Sequence, residues 1–225
     1  MSELRLLTYN LHGLRDDADE ASAVIRRCEP DVVCIQEAPR FLRWRSKRAA
    51  VARKAGLVVA TANRTGGLML MTSLRAQVVR TGFSLLPKSP KLHQRSVCWA
   101  QLSVGGSRWT IASVHFSLSA DERLSHLAPL WAALPPYDET PLVLAGDINE
   151  EPGGPVWQEL TGRLADAWAA SGSGDGNTYS ARRPHKRIDG IFASRGVEVV
   201  SCHAVADDPG VAVASDHLPV LAVLK

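Results

Sequence analysis

The chain of 225 residues is poor in cysteine, with four, and in aromatics, at 6%. It has no apolar run near the roughly 18 residues that a membrane helix needs, so membrane insertion is not expected. Cys28, Cys34, Cys98 and Cys202 form no C-x-x-C pair, and Cys34 and Cys98 lie inside apolar runs. Buried free thiols are therefore expected, rather than disulfides or a zinc site. The opening MSELRLLTYN lacks a basic region followed by a long apolar one. No secretory leader is expected, and a cytoplasmic location is. Repeats, low-complexity blocks and a linker are also missing, which suggests one domain over residues 1–225; a monomer is expected, though no residue pattern fixes the oligomeric state. The net charge of only +3 neither requires nor excludes a polyanionic partner.

What is present is ordinary globular material, 45% hydrophobic and 22% charged, long enough to bury a sizeable core. Residues 4–11, LRLLTYNL, read as a buried strand with Asn10 near its end. Ala21, Val24, Ile25 and Cys28 fall at helical spacing within residues 18–28, and Pro30 stops that helix. DVVCIQ is a second strand, with Glu37 just past it. Residues 39–55 read as a basic helix holding Arg40, Arg43, Arg45, Lys47, Arg48, Arg53 and Lys54. That face either tracks phosphates or is simply solvated. Phe41 and Trp44 are the only nearby aromatics, and the solvated reading is favoured.

From Gly56 onward short strands follow one another, at 57–61, 67–73, 77–86, 95–104 and 108–117, the last carrying His115. A helix over 120–134 presents Leu124, Leu127, Leu130, Trp131 and Leu134 at helical spacing. The strand LVLA then ends in Gly146, where a turn is expected, with Asp147 and Asn149 beyond it on one extended face. Pro155 opens a short helix, SGSGDGN over 171–177 is a flexible loop, and strands follow at 187–193, 197–205 and 218–224. Strand-and-helix units flanking a run of strands suggest an α/β fold. Two sheets packed face to face with helices outside are expected, antiparallel where consecutive strands join by tight turns.

Asn10, Glu37, His115 and Asp147 end strands, whereas Asp189, Asp216 and His217 stand at or near strand starts. With antiparallel neighbours these positions meet at one rim. Carboxylates and carboxamides without a Cys/His cluster suit a hard ion such as Mg²⁺ or Mn²⁺, with Glu37 the first ligand, Asp216 the second and Asn10 beside them. Asp147 next to Asn149 suits the activation of a water. His115, His217 and Asn10 can donate to phosphate oxygens, and Asp189 can hold His217 protonated.

TYNLHG, IQE, SVHFSL, GDIN, RIDGIF and SDHLP, in that order, resemble the endonuclease/exonuclease/phosphatase superfamily of metal-dependent phosphoesterases. The resemblance spans Asn10 to Pro219. It implies a four-layer α/β sandwich of two mixed, mostly antiparallel sheets, Mg²⁺ on Glu37, a water activated by Asp147, phosphate held by His115 and His217, and Asp189 orienting His217. His115 makes the chain more similar to the pancreatic deoxyribonuclease, sphingomyelinase and deadenylase branches than to the abasic-site endonucleases. His12 stands where the latter carry an Asp that can touch metal. Arg123, eight residues past His115, is similar to an arginine often found after that histidine and is a candidate substrate contact; otherwise it is a solvated helix residue. The basic helix and the His185-Lys186-Arg187 loop favour a phosphodiester of a nucleic acid or nucleotide as substrate. A small phosphorylated metabolite or lipid headgroup is the alternative, and a silent binding module on the same fold is less favoured.

Overall fold

The computed structural model describes residues 3–137 and 140–225, so the first two residues of the opening segment lie outside it. In chain order the elements are β1 (Leu4–Asn10), α1 (Ala18–Arg27), β2 (Val32–Gln36), α2 (Trp44–Ala55), β3 (Val58–Ala62), β4 (Met69–Thr72), β5 (Ala76–Leu85), β6 (Ser96–Val104) and β7 (Ser107–His115). Then come α3 (Ala120–Ala133), β8 (Leu142–Asp147), α4 (Pro155–Arg163), β9 (Leu164–Asp166), α5 (Ala167–Ser171), β10 (Gly172–Ser173), β11 (Asp189–Ser194), β12 (Val199–Ala204), α6 (Val211–Ala214) and β13 (Val220–Leu224).

Seven strands form one sheet in the order β10-β12-β13-β1-β2-β4-β3, and six form the other in the order β5-β6-β7-β8-β11-β9. The alternation of side chains along each strand sends every second residue to a different layer. Leu4 and Leu6 of β1 meet Ile111 of β7 and Val143 and Ala145 of β8 between the sheets. Leu7 and Tyr9 face the opposite way, onto Val24 and Ile25 of α1 and Val51 of α2. On the far side Val114, Leu142 and Leu144 pack under Leu130 of α3 and Trp157 of α4. The result is four layers: helices, sheet, sheet, helices. Among the described residues, no helix is long and apolar enough to cross a membrane.

Local chemistry accounts for most boundaries. Asp17 caps α1 by accepting from the Asp19 and Glu20 amides. Glu150 does the same for α4, accepting from the amides of Val156 and Trp157 behind Pro155. The basic helix is shorter than its composition suggests. It begins at Trp44 because Arg43 adopts a left-handed backbone (φ 58°). Arg48 is not on its solvated face. Its buried guanidinium donates to the carbonyls of Pro39, Asn63 and Leu68, clamping the segment before α2 to the start of β4.

Helix α3 is also rotated relative to its leucine spacing. Glu122, Arg123, His126 and Leu130 are buried, while Leu124 faces solvent. The three polar side chains point inward because loop backbone needs partners there. Glu122 accepts from Ser89 N, and a His126 ring nitrogen lies 3.0 Å from Pro87 O. Gly146 lies inside β8 and makes no turn; a Cβ there would stand 2.0 Å from Val114 O on β7. Glycine is required by the close approach of two parallel strands. Part of the expected 171–177 loop is ordered, since Gly172 and Ser173 pair with β12. The four cysteines are buried and free.

Candidate active site

Three register pairs build the rim. Parallel β1 and β2 end together, with Asn10 opposite Gln36. Parallel β7 and β8 also end together, with His115 opposite Asp147. Antiparallel β11 begins where β8 ends, setting Asp189 opposite Asp147. Beneath them the Gln36 amide donates to Thr8 Oγ1 and Ser113 Oγ, tying one sheet to the other. Each strand buries its body and is held there, so the polar ends have little freedom to move.

Asp147 is the centre. Its Oδ2 accepts from Asn10 Nδ2 at 3.0 Å and lies 3.3 Å from His115 Nε2 and 3.9 Å from His217 Nε2. Its Oδ1 accepts from the amide of Asn149 at 2.9 Å. Asn149 has a left-handed backbone (φ 55°), and its side-chain amide donates to Phe116 O. The turn places this residue, not the extended spacing expected from the sequence. Ser215 Oγ donates to the Asn10 carbonyl, which fixes the end of β1.

The two histidines carry different charges. Arg95 Nη1 lies 2.9 Å from His115 Nδ1. A guanidinium can only donate, so Nδ1 must accept and the ring proton sits on Nε2, facing Asp147. Burial, then the charges of Arg95 and His217, hold His115 well below its ordinary pKa, so it is neutral. His217 Nδ1 is 2.9 Å from Asp189 Oδ2, which also accepts from Thr178 Oγ1 at 2.6 Å. Burial alone would lower His217. The Asp189 carboxylate, helped by Asp147 and Asp216, outweighs it and raises the imidazole to about 10. Burial and the neighbouring Asp189 charge raise the Asp147 carboxyl, against the opposing pull of His217, Asn10 and the Asn149 amide.

These groups open on a cleft of about 320 Å³ lined by Glu37, Arg95, His115, Asp147, Asn149 and His217, with Tyr179, Lys186 and Asp216 at its walls. Glu37 has a left-handed backbone (φ 50°), a strained conformation for a non-glycine residue. Asp216 Oδ1 is buried without a hydrogen-bond partner, 3.9 Å from His12 Nδ1. Asp147, Asp189 and His217 offer ligand atoms within 4.8 Å of one another. Within that trio His217 Nδ1 and Asp189 Oδ2 are bonded to each other, which leaves His217 Nε2 and Asp147 facing the cleft.

Of the expected site residues, Arg123 lies elsewhere. It is buried behind the cleft, its Nη1 donating to the carbonyls of Ser117 and Leu118 and its Nη2 lying 3.4 Å from Glu150 Oε1. It neither lines the cleft nor meets solvent. It braces the loop after His115 against the loop after Asp147. Sequence reasoning missed Arg95, Thr178 and Tyr179, and named Lys186 only within the basic His185-Lys186-Arg187 loop, of which Lys186 lines the cleft. Arg95 carried a usable signal, as a cation directly before the buried run SVCWA. Thr178 and Tyr179 lie in irregular backbone with no period to reveal them.

Two mixed sheets lie between helical layers, with carboxylates and histidines gathered at one rim. The Endonuclease/Exonuclease/phosphatase family model matches residues 7–217, so the chain belongs to that family, whose members are phosphoester hydrolases. A comparison with curated proteins gave no match. Among solved structures, an endonuclease/exonuclease/phosphatase from Bacteroides vulgatus shares 21% identity at a TM-score of 0.82, over 100% of this chain and 99% of that one. The Bacteroides thetaiotaomicron VPI-5482 mannosyl-6-phosphatase shares 16% at 0.82, over 99% of both chains. D. rerio TDP2, complexed with a single-strand DNA product, shares 17% at 0.78, over 100% of both. At these identities the likeness is one of fold.

Proposed function

We propose that the protein is a divalent-metal-dependent phosphodiesterase acting on a nucleic acid or nucleotide. The observation that carries this reading is Asp147, a buried carboxylate held by Asn10 and facing the Nε2 atoms of both histidines. The raised pKa of Asp147 makes it a stronger base toward a water in the cleft. Cationic His217 and the Nε2–H of neutral His115 are donors for the oxygens of a phosphate at that point, with Arg95 behind His115.

A hard cation fits the oxygen set. Glu37 and Asp216 line the cleft, and the buried Asp216 Oδ1 lacks a hydrogen-bond partner, so these two would hold the ion, with the Asn10 amide nearby. When bound, Mg²⁺ or Mn²⁺ would neutralise phosphate charge and polarise the bond that breaks. Asp189 keeps His217 protonated and aimed, and Thr178 keeps Asp189 aimed.

Hydrolysis of bis-p-nitrophenyl phosphate with Mg²⁺ and with EDTA tests this. Asp147→Asn keeps the shape and removes the base, so the rate should fall by roughly 10²- to 10⁴-fold. Equal rates for the two proteins would remove the mechanism. The neighbours divide between a DNA-bound protein and a sugar phosphatase, so substrate choice must rest on this chain's own surface.

A further inference from the structure

The cations before and within α2 do not act as one face: Arg43, Arg45 and Arg53 are simply exposed. Arg48 is turned inward as a clamp, and Lys54 is paired with Asp19. Arg40 and Lys47 instead line, with Arg15, a hollow of about 170 Å³ that shares Glu37 with the cleft. Among the described residues, none of these three cations forms an ion pair. Arg15 and Lys47 are exposed, and the half-buried stem of Arg40 lies against Gly67, where a Cβ would stand 3.2 Å from Arg40 Cδ. The Arg40 charge is near enough to contribute to the lowered pKa values of both His115 and Arg95. The hollow is therefore electrostatically continuous with the cleft.

Next to it stand Phe41 and Leu42, 75% and 81% exposed, with the Arg40 guanidinium 6.0 Å from the Phe41 ring. A phosphate in the cleft would already be met by His115 and His217, with Arg95 behind His115. Three more uncompensated cations around Glu37 have no role with a phosphate monoester. They suit a second phosphate on the same substrate. An exposed aromatic ring beside it suits an unpaired base, because every base has a face to stack.

We propose that this hollow is a second phosphate subsite, holding the adjoining phosphate of a single-stranded polynucleotide with a base stacked on Phe41. The assignment rests on the phosphodiesterase reading of the cleft.

Fluorescein-labelled octathymidylate, titrated in EDTA so that nothing turns over, reports affinity by anisotropy. Glutamine retains much of the aliphatic stem, so Arg40→Gln/Lys47→Gln should melt like the parent protein. That variant should bind about tenfold more weakly, and its slope of log affinity on log salt should shrink by about 0.7 for each phosphate no longer neutralised. Phe41→Ala should also weaken binding by about tenfold, as expected for one missing base stack, with its salt slope retained. With Mg²⁺ present, the ratio of kcat/KM for the oligonucleotide to that for bis-p-nitrophenyl phosphate should fall in both variants. Unchanged affinity and slope in the double variant would overturn the subsite. Tighter binding of duplex than of single strand, or a preference for phosphoinositide vesicles, would overturn the ligand. A parent protein that hydrolyses neither substrate refutes the reading of the cleft instead, and the EDTA titration still decides the hollow on its own.

Discussion

Arg187→Met should cost the fold more than any exposed arginine on this surface would. The guanidinium makes a two-point bond to Asp166, Nη2 to Oδ2 at 2.6 Å and Nη1 to Oδ1 at 3.2 Å, with the side chains 11% and 5% exposed. It lies between two indoles, 4.8 Å from the Trp157 ring and 4.7 Å from the Trp168 ring. Asp166 is fully engaged, accepting also from Trp157 Nε1 and from the amides of Trp168 and Ala169 at the start of α5. Methionine fills the slot between the rings but leaves a buried carboxylate without its cation. Removing one partner of such a pair costs about 3–5 kcal/mol, and the filled slot places this case near the lower end, about 3 kcal/mol. In a chain of this length each kcal/mol moves the midpoint by about 2–4 °C, so thermal unfolding should shift down by about 6–12 °C. Asp166→Asn removes the stranded charge and keeps one oxygen for the cap amides, while its NH2 can only donate and loses the indole bond. The Arg187→Met/Asp166→Asn double variant should still recover part of the loss by more than additivity allows. An Arg187→Met protein melting within about 2 °C of the parent, or strictly additive single variants, would refute the reasoning.

Two further predictions concern the histidine pair and acid stability. Arg95→Met removes the donor that fixes the ring proton of His115, so kcat should fall by roughly 10²-fold with little change in melting temperature. Without that positive charge the His115 pKa rises, and the acid limb of the pH–rate profile should move to higher pH; an unmoved limb counts against the assigned tautomer. Asp208 is held below the usual carboxylate range by hydrogen bonds from Arg27, with the Gly210 amide adding to it. A lowered folded-state pKa means stability present above the ordinary Asp range of about 4 and lost as pH falls through the depressed value. The melting difference between the parent and Arg27→Gln, read from pH 7 down into that range, should therefore shrink toward zero; a constant difference would show that the pair contributes no pH-dependent stability.

Strand identities and the sharing of one rim were legible along the chain, because both follow from alternation and from where an apolar run stops. LRLLTYN, DVVCIQ and PLVLAGD each bury a continuous body and end in a polar group, and a side chain's place at a strand end needs no knowledge of its neighbours. The amphipathic stripe of α1 was equally plain, with Ala21, Val24 and Ile25 facing the core. The short elements β9, β10, α5 and α6 were not, since two to five residues hold too little periodicity to see.

What only the tertiary structure decided is direction and partnership. An arginine in a helical run reads the same whether it is solvated, like Arg45, clamped inward, like Arg48, or braced between two loops, like Arg123. Likewise a histidine at a strand end reads the same whether neutral or charged. His115 and His217 differ because one ring nitrogen meets a guanidinium and the other a carboxylate, supplied by residues 20 and 28 positions away. Side-chain charge and aim are set by what lies across space, and that is settled only when both sheets are assembled.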